Sequence, residues 1–462
     1  MNIILLTLFA VYLPHTLRQN EILEELQVRG AAAVEFVGIR PYDTKEIKLP
    51  ADDSLTKRLR IPVFAADYRH DTVSVLRIYP CLSYDYSRVS LLVQPVVKFG
   101  EDSLPPYRVF MELFSADYER AYLNYRTGGL SLFIGRERFS VGPSPRYNLL
   151  LSGCSAPMDW LHYSLRMEKV RLSFFLSRLN DLYDKPLEFI GDTITRYINA
   201  ERYLTLKRLD LTVGDWLNFG LSEGAVFGGE NYSLEIYHFN PVVFIQAYQY
   251  NWYKDVNFFL EFDTKLFFNN LGVYASLLLD DFQLEPDPNG EPNHIGFNIG
   301  FEAADPFAIR RTFWMIEYTA VSRYTYCHFI PFQRYQYLGT PIGTPFGPDY
   351  DELYTKFIYH MKPSVDIYTR LSYLRKGETE IEALWPIPEC PRQEGTFFPE
   401  NNFLSGTVQK NSTIETGIRF YFNKYCSADV WLGYFHAENF RHERGRVENS
   451  FVGGCCFTLL YW

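Results

Sequence analysis

The segment Arg88-Val-Ser-Leu-Leu-Val-Gln-Pro-Val-Val-Lys-Phe99 indicates a β-strand with two different faces, because its side chains alternate between apolar and polar. Successive side chains of an extended chain point to opposite faces, so this segment has one apolar face and one polar face. Charged residues lie in the middle of the polar face, as a wet interior allows. The apolar face carries Val89, Leu91, Val93, Pro95, Val97 and Phe99, and the polar face carries Arg88, Ser90, Gln94 and Lys98.

The same alternation recurs along the chain, at 170–177, 216–222, 364–373 and 414–422. Segments of roughly 9–12 residues are longer than ordinary globular strands, and they match the length of a tilted strand that crosses a membrane. Soluble β-sandwiches also alternate, and they are the alternative. We predict an all-β fold, a large antiparallel transmembrane β-barrel of about 18 strands.

Composition supports the membrane interpretation and excludes one class of partner. Aromatic residues make up 17% of the 462 residues, with 35 Tyr and 38 Phe. Barrels place such residues in girdles at both membrane interfaces, although an aromatic-rich soluble sandwich would use them too. The formal net charge is −10 and Arg is scattered, so a nucleic acid is not an expected partner.

Long Pro- and Gly-rich stretches interrupt the strands, and shorter turns such as Arg126-Thr-Gly-Gly129 lie between others. Outer-membrane barrels have long loops on one side and short turns on the other. At about 20–22 residues per strand with its connection, residues 70–462 hold roughly 18 strands. The long stretches are 136–159, 179–200, 284–294, 335–351 and 384–406.

The two ends of the chain carry export signals. The apolar run Ile3–Leu13 predicts a signal peptide over residues 1–19, with a buried N-terminal helix as the alternative. No apolar run is long enough for a transmembrane helix. The final segment Phe451–Trp462 is an apolar strand that ends on an aromatic residue. That ending resembles the assembly signal of bacterial outer-membrane proteins, so the barrel-assembly machinery and outer-membrane lipid are expected partners.

Between the signal and the barrel, Glu21–Gly30 has the pattern of a short helix that Gly30 closes. A second short helix is predicted around Thr56–Arg60. We therefore predict a helical element over 20–66, on the periplasmic side or in the lumen, followed by the barrel over 67–462.

Several blocks of sequence occur in the order and spacing of a known family. Together they cover residues about 22–375, and they resemble the capsule-assembly Wzi family. The blocks are Leu26–Gly30 with Arg40–Asp43; Gly135-Arg136 with Gly142-Pro143, Leu151-Ser152 and Pro157; Gly220–Glu223 with Gly228-Gly229 and Asn240-Pro241; Asp280–Phe282; and Gly347–Asp351.

The resemblance implies an outer-membrane barrel of roughly eighteen strands with a helical element at its periplasmic end. It also implies a lectin-like role at the bacterial surface, where the protein would hold capsular polysaccharide. The expected protein is therefore not an enzyme.

Sugars are commonly bound by flat aromatic faces together with acids, amides and Arg. Paired carboxylates can accept hydrogen bonds from sugar hydroxyls or bind Ca²⁺, but acids that are solvated or paired with Arg are the more ordinary interpretation. No metal-binding or cofactor motif is present, so no cofactor is expected. The candidate ligand-binding residues are Arg136, Trp160, Asp280, Asp281, Tyr337, Asp349 and Asp351.

Two motifs have the residue types of hydrolases but lack the surrounding pattern. Gly220-Leu-Ser222-Glu-Gly224 fits a nucleophile elbow, yet it continues an alternating strand. His162 and Ser164 share one face of a strand, but no residue is evident that would orient the histidine. The seven cysteines form no CxxC pair and are interpreted as isolated apolar residues.

Two other functions stay open. One is a porin-like diffusion channel for small solutes, and the other is an outer-membrane lipid hydrolase. An open or a filled lumen distinguishes a diffusion channel from a polysaccharide-binding protein, because a porin needs an open aqueous path.

Overall fold

The structure is a computed structural model, and it describes residues 19–42, 47–48, 61–70, 74–99, 114–190, 193–247, 256–281, 293–383, 403–423 and 426–461. Residues 1–18 of the predicted signal and the predicted second helix at 56–60 lie outside the described residues.

Eighteen antiparallel strands of the described chain form one closed barrel, as the alternating segments predicted. The last strand pairs with the first, with Tyr461 opposite Ile61 and Gly453 opposite His70. The strands are β1 Ile61–His70, β2 Ser74–Pro80 with Leu82–Tyr86, β3 Val89–Phe99, β4 Phe114–Thr127, β5 Leu130–Glu137, β6 Met158–Met167, β7 Val170–Arg178 with its continuation Leu182–Ile190, β8 Thr193–Val213, β9 Leu217–Gly229, β10 Asn257–Phe268, β11 Leu271–Asp281, β12 His294–Ala304, β13 Thr312–Val321, β14 Tyr350–Lys362, β15 Val365–Lys376, β16 Gln409–Asn423, β17 Cys426–Glu438 and β18 Val447–Tyr461.

The alternation of β3 separates the lumen from the outer wall. Leu92, Gln94 and Val96 are buried toward the lumen, whereas Leu91 and Phe99 are exposed on the outer wall. Large apolar side chains are exposed on the other strands too, so the outer surface is an apolar band. A closed barrel leaves no unpaired edge, and an apolar outer wall suits lipid. The protein is therefore an outer-membrane β-barrel.

The connections between strands differ in length at the two ends of the barrel. The end where β18 finishes carries short turns such as 87–88, 128–129 and 269–270, and we call it the short-turn end. The opposite, long-loop end carries 138–157 and 322–349 among its connections. The predicted asymmetry is seen at 138–157 and 322–349, but the predicted loop at 179–200 is wrong, because Leu182–Ile190 and Thr193–Val213 are paired strands. The predicted loops at 284–294 and 384–406 lie mostly outside the described residues. In barrels of this kind the long loops face the cell exterior and the short turns face the periplasm.

The helix α1, Gln19–Val28, lies inside the lumen toward the short-turn end. Its side chains Leu23 and Leu26 are completely buried. Arg29, just after the helix, donates to Asp305 in a short turn at 3.0 Å. The sequence left the periplasmic side and the lumen open for this helix, and α1 lies in the lumen.

Buried ion pairs hold α1 to the barrel wall. Glu24 of α1 accepts from Lys265 of β10 at 2.6 Å, and Lys265 also lies 3.0 Å from Glu302 of β12. Glu24 accepts from Arg40 at 2.6 Å and from the hydroxyl of Tyr42 at 2.5 Å. The side chain of Lys265 has 0% exposure. Since an unpaired charge at this depth is strongly unfavourable, each partner fixes the position of the others.

Two long connections also fold into the lumen. Leu149 and Leu150 of the 138–157 loop are completely buried, and their carbonyls accept from the hydroxyls of Tyr326 and Tyr335 at 2.6 and 2.7 Å. Arg202 of β8 donates to three carbonyls of the second loop, at 332, 334 and 336. Together with α1 these loops fill the lumen with a packed core.

The smaller elements belong to the loops. In the described part of the chain no helix has the length and apolar character needed to cross a membrane. Short antiparallel pairs join Ala33–Val34 to Ile47–Lys48, Ile39–Arg40 to Ser140–Val141, and Gln336–Tyr337 to Thr340–Pro341. The 3-10 helices are Ile236–Phe239, Pro306–Ala308, Pro331–Gln333 and Phe440–His442.

Lys265→Met removes the cation that Glu302 faces in the lumen. We expect the free energy of unfolding to fall by about 3–5 kcal/mol, because a buried carboxylate is left without its partner. Denaturant unfolding of the protein in detergent micelles measures this change. Arg446→Met, which breaks the exposed pair with Glu443, is the control and should change the value by less than about 0.5 kcal/mol. Equal losses in the two variants would contradict the anchoring role.

The buried carboxylate of Glu24 makes the stability of the protein depend on pH. Burial by itself raises the pKa of Glu24, but Lys265 and Arg40 outweigh it and bring the pKa from 4.5 to about 2. A folded pKa below the unfolded one adds stability that is complete above pH 4.5 and disappears as the pH falls toward 2. Unfolding measured across this window should lose free energy less steeply in Glu24→Gln than in the unmodified protein. Parallel slopes would refute this assignment.

Candidate functional site

All seven candidate residues from the sequence lie at the long-loop end of the barrel. They occupy strand ends or the loops between them: Arg136 is the second-last residue of β5, Trp160 is the third residue of β6, Asp280 and Asp281 end β11, Tyr337 and Asp349 lie in the 322–349 loop, and Asp351 is the second residue of β14. Their surroundings differ, and only some of them are open to solvent.

Arg136 is the centre of an exposed polar cluster. Its guanidinium makes a two-point contact with Asp159, with Nε and Nη2 at 3.0 and 2.9 Å from the two carboxylate oxygens. Its Nη1 donates to Asp117 at 2.8 Å. Asp159 is 67% exposed and Asp117 is 35% exposed, so the acids face water.

Tyr337 lies beside this cluster. The charges of Arg136, Asp159 and Asp117 all act on its hydroxyl, while partial burial is the largest influence and raises the pKa of Tyr337. A short hairpin, Gln336–Tyr337 with Thr340–Pro341, presents the ring. The neighbouring backbone is fixed because Leu338 donates to Asn180 at 2.8 Å. We call Asp117, Arg136, Asp159 and Tyr337 the rim cluster.

A second group of exposed charges continues the rim. Strand β6 lies between β5 and β7, and its Trp160 is opposite Gly135 on one side and Ser177 on the other. Because β6 and β7 are antiparallel, Arg178 lies next to Asp159. Arg178 contacts both carboxylate oxygens of Asp181 at 3.1 Å and reaches Glu201 at 3.4 Å. These residues were not among the candidates from the sequence, where their only signal is a position close to the end of a predicted strand or loop.

Three of the candidates make contacts that hold the loops in place, and two of them, Trp160 and Asp349, are buried. Trp160 is buried in the core, and its indole donates to the carbonyl of Glu137 at 3.1 Å. Asp280 accepts from the backbone N–H of Tyr326 at 2.6 Å. Asp349 is completely buried and accepts from the backbone N–H groups of Thr379 and Ser405 at 3.1 Å.

The remaining acids lie on other parts of the rim. Asp351 points to the outer wall, where it accepts from Arg375 at 2.9 Å and from the hydroxyl of Tyr318 at 2.8 Å. Arg375 is 43% exposed. Asp281 is the last residue of β11, and its side chain lies outside the described part of the structure.

Neither hydrolase-like motif is organised for nucleophilic catalysis within the described residues. Ser222 is buried in the lumen and accepts from Arg208 at 2.9 Å. His162 contacts the carbonyl of Phe174 at 2.9 Å and stacks on Phe175, with ring centroids 4.0 Å apart. These contacts fit packing against the wall, and they do not include an acid oriented on the histidine.

A closed barrel with an apolar outer wall, a lumen filled by its own chain and a polar rim defines a class of protein: outer-membrane β-barrels with a filled lumen. The model of the family named capsule assembly protein Wzi matches residues 79–450. The chain belongs to this family. No curated protein sequence matches the chain.

Solved outer-membrane proteins are similar to the chain at low sequence identity, and one of them shares its fold. The outer-membrane protein Wzi of Escherichia coli, involved in group 1 capsule assembly and described as a carbohydrate-binding β-barrel, is 14% identical with a TM-score of 0.65; the match covers 98% of this chain and 100% of Wzi. OpdK of Pseudomonas aeruginosa is 10% identical, with 86% and 96% covered and a TM-score of 0.47. OprD of Pseudomonas aeruginosa is 9% identical, with 87% and 96% covered and a TM-score of 0.44.

Proposed function

We propose that this protein binds capsular polysaccharide at its long-loop end and holds it at the cell surface without catalysing a reaction. The rim cluster carries the proposal, since it is an exposed group of charged and aromatic side chains on a barrel whose lumen is filled. Membership of the capsule-assembly family supports it, as does the carbohydrate binding described for Wzi of Escherichia coli.

The rim cluster has the chemistry that a sugar requires. The carboxylates of Asp117 and Asp159 accept hydrogen bonds from hydroxyls, and the Arg136 guanidinium donates to hydroxyls or to sugar carboxylates. The ring of Tyr337 offers an apolar face with a polar tip. Exposed ion pairs contribute only about 0–1 kcal/mol, so a glycan can replace part of the contact between Arg136 and Asp159 at little cost.

Other rim residues extend the surface for a polymer. The group of Arg178, Asp181 and Glu201 lies next to the cluster, and Asp351 with Arg375 offers a further charged position. A polysaccharide repeats its sugar units, so several weak contacts along one chain add up through multivalency. The proposal includes outer-membrane lipid around the apolar band and insertion by the barrel-assembly machinery.

A diffusion channel is the second candidate that the sequence raised. It requires a continuous aqueous path, and the described structure places α1 and two long loops in the lumen. Buried ion pairs and hydrogen bonds hold these segments. We therefore favour binding at the rim over passage through the barrel.

Arg136→Ala tests the rim cluster. We expect the affinity for capsular polysaccharide extracted from the source bacterium to fall by about tenfold, because a two-point charged contact is lost. Binding of the purified protein to the immobilised polysaccharide measures the effect. Arg136→Lys keeps the charge but lacks the planar guanidinium, so its affinity should lie between those of the unmodified protein and Arg136→Ala.

Arg441→Ala is the matched control, because Arg441 is also an exposed arginine at the long-loop end and lies away from the cluster. Unaltered binding in Arg136→Ala, or an equal loss in Arg441→Ala, would overturn the assignment of this cluster as the glycan site.

The filled lumen predicts the electrical behaviour of the protein. In planar lipid bilayers we expect no steady single-channel current, because α1 and the loops close the path. Stable, channel-sized current steps from the purified protein would instead favour the diffusion channel.

A further inference from the structure

A second polar site lies at the opposite end of the barrel, away from the rim cluster. A cavity of about 250 Å³ opens between the wall strands β3–β7 and the chain segment that follows α1. Ile39 and Pro41 of that segment form one side, together with Phe139. Its mouth lies at two short turns, at 87–88 and 128–129, so the cavity faces the short-turn end.

Four arginines line this cavity, and we call them the arginine cleft: Arg88, Arg126, Arg166 and Arg171. Backbone hydrogen bonds bring them together across the strands. The N–H of Arg126 donates to the carbonyl of Arg88 at 2.8 Å, and the N–H of Arg166 donates to the carbonyl of Gly129 at 2.8 Å. A Cβ at Gly129 would lie 2.2 Å from the Arg166 carbonyl, so this close turn requires glycine.

The lining of the cleft is positive. None of the described residues that line it is a carboxylate. Arg171 donates to Asp210 at 2.9 Å and Arg166 donates to Glu35 at 3.1 Å, and neither of these acids belongs to the lining of the cavity. Arg88 is exposed, and no described side chain pairs with its guanidinium. A cavity walled by the barrel concentrates this field, which favours an anion.

Hydroxyl groups surround the charges. Ser87, Ser131, Ser164 and Ser173 all line the cavity. Ser173 is completely buried, and its hydroxyl has no hydrogen-bond partner among the described residues. A buried hydroxyl without a partner is unfavourable, and a ligand atom or an ordered water in the cavity would satisfy it.

The size and the mixture of groups indicate the kind of ligand. One water occupies about 30 Å³ in the liquid, so the cavity exceeds what a single inorganic anion fills. Guanidinium groups bind a carboxylate, while serines bind hydroxyls. We propose that the arginine cleft binds a sugar acid, a hydroxylated ring with one carboxylate, which enters from the periplasmic side.

Calorimetric titration of the full-length protein in detergent micelles tests this site. The probes are sodium glucuronate, glucose and inorganic phosphate. We expect saturable binding of one glucuronate, no binding of glucose and weaker binding of phosphate. Phosphate binding as tight as that of glucuronate, or tight binding of glucose, would overturn the sugar-acid assignment.

Variants locate the binding. Arg88→Gln and Ser173→Ala should each weaken glucuronate binding, with a loss of at least about tenfold for Arg88→Gln, because it removes a charged contact. Arg88 is exposed in a turn, so its replacement should leave folding intact. Arg441→Gln, far from the cleft, is the control. Glucuronate affinity that stays the same in Arg88→Gln would refute the cleft as the site.

The proposals for the rim cluster and for the arginine cleft can be tested separately. Arg136→Ala should keep glucuronate binding at the cleft, and Arg88→Gln should keep polysaccharide binding at the surface of intact cells. Loss of glucuronate binding in Arg136→Ala would place the sugar acid at the rim and would overturn the cleft proposal.

Discussion

A charge buried in the lumen needs an opposite charge or several hydrogen bonds, and this constraint organises the interior of the barrel. Lys265 lies between Glu24 and Glu302, and Arg208 lies between Asp210 and Asp263 at 2.7 and 2.6 Å. Because Glu24 belongs to α1, the same pairing that satisfies the wall also fixes the helix. A wall of wet, charged strands and a charged helix therefore stabilise each other.

The filled lumen in turn determines the shape of the surface. Loops that pack on the interior core are held at their bases, and Arg202 fixes the loop that carries Tyr337 through three backbone carbonyls. Tyr337 of the rim cluster is therefore presented on a fixed support, and under the proposed function this would lower the entropy lost when a polymer binds. The position of Tyr337 depends on the interior through this chain of contacts.

All the candidate residues from the sequence lie at one end of the barrel, because strand ends and loops can be identified from the alternation. The sequence could not distinguish exposed residues from buried ones. Trp160 and Asp349 look like sugar-binding residues, yet their polar atoms are used by the backbone. Asp117 and Asp159 gave no such signal, because only the pairing of β4, β5 and β6 brings them to Arg136.

Two-residue periodicity was enough to assign the fold class and the division between lipid-facing and lumen-facing sides, since both follow from the alternation of side chains along each strand. The approximate strand count came from the length of chain needed for one strand and its connection. Tertiary structure alone decided that α1 occupies the lumen, that the loops close it, and which distant arginines and acids meet at either end. Those contacts join residues far apart in the chain, and no local pattern encodes the register that brings them together.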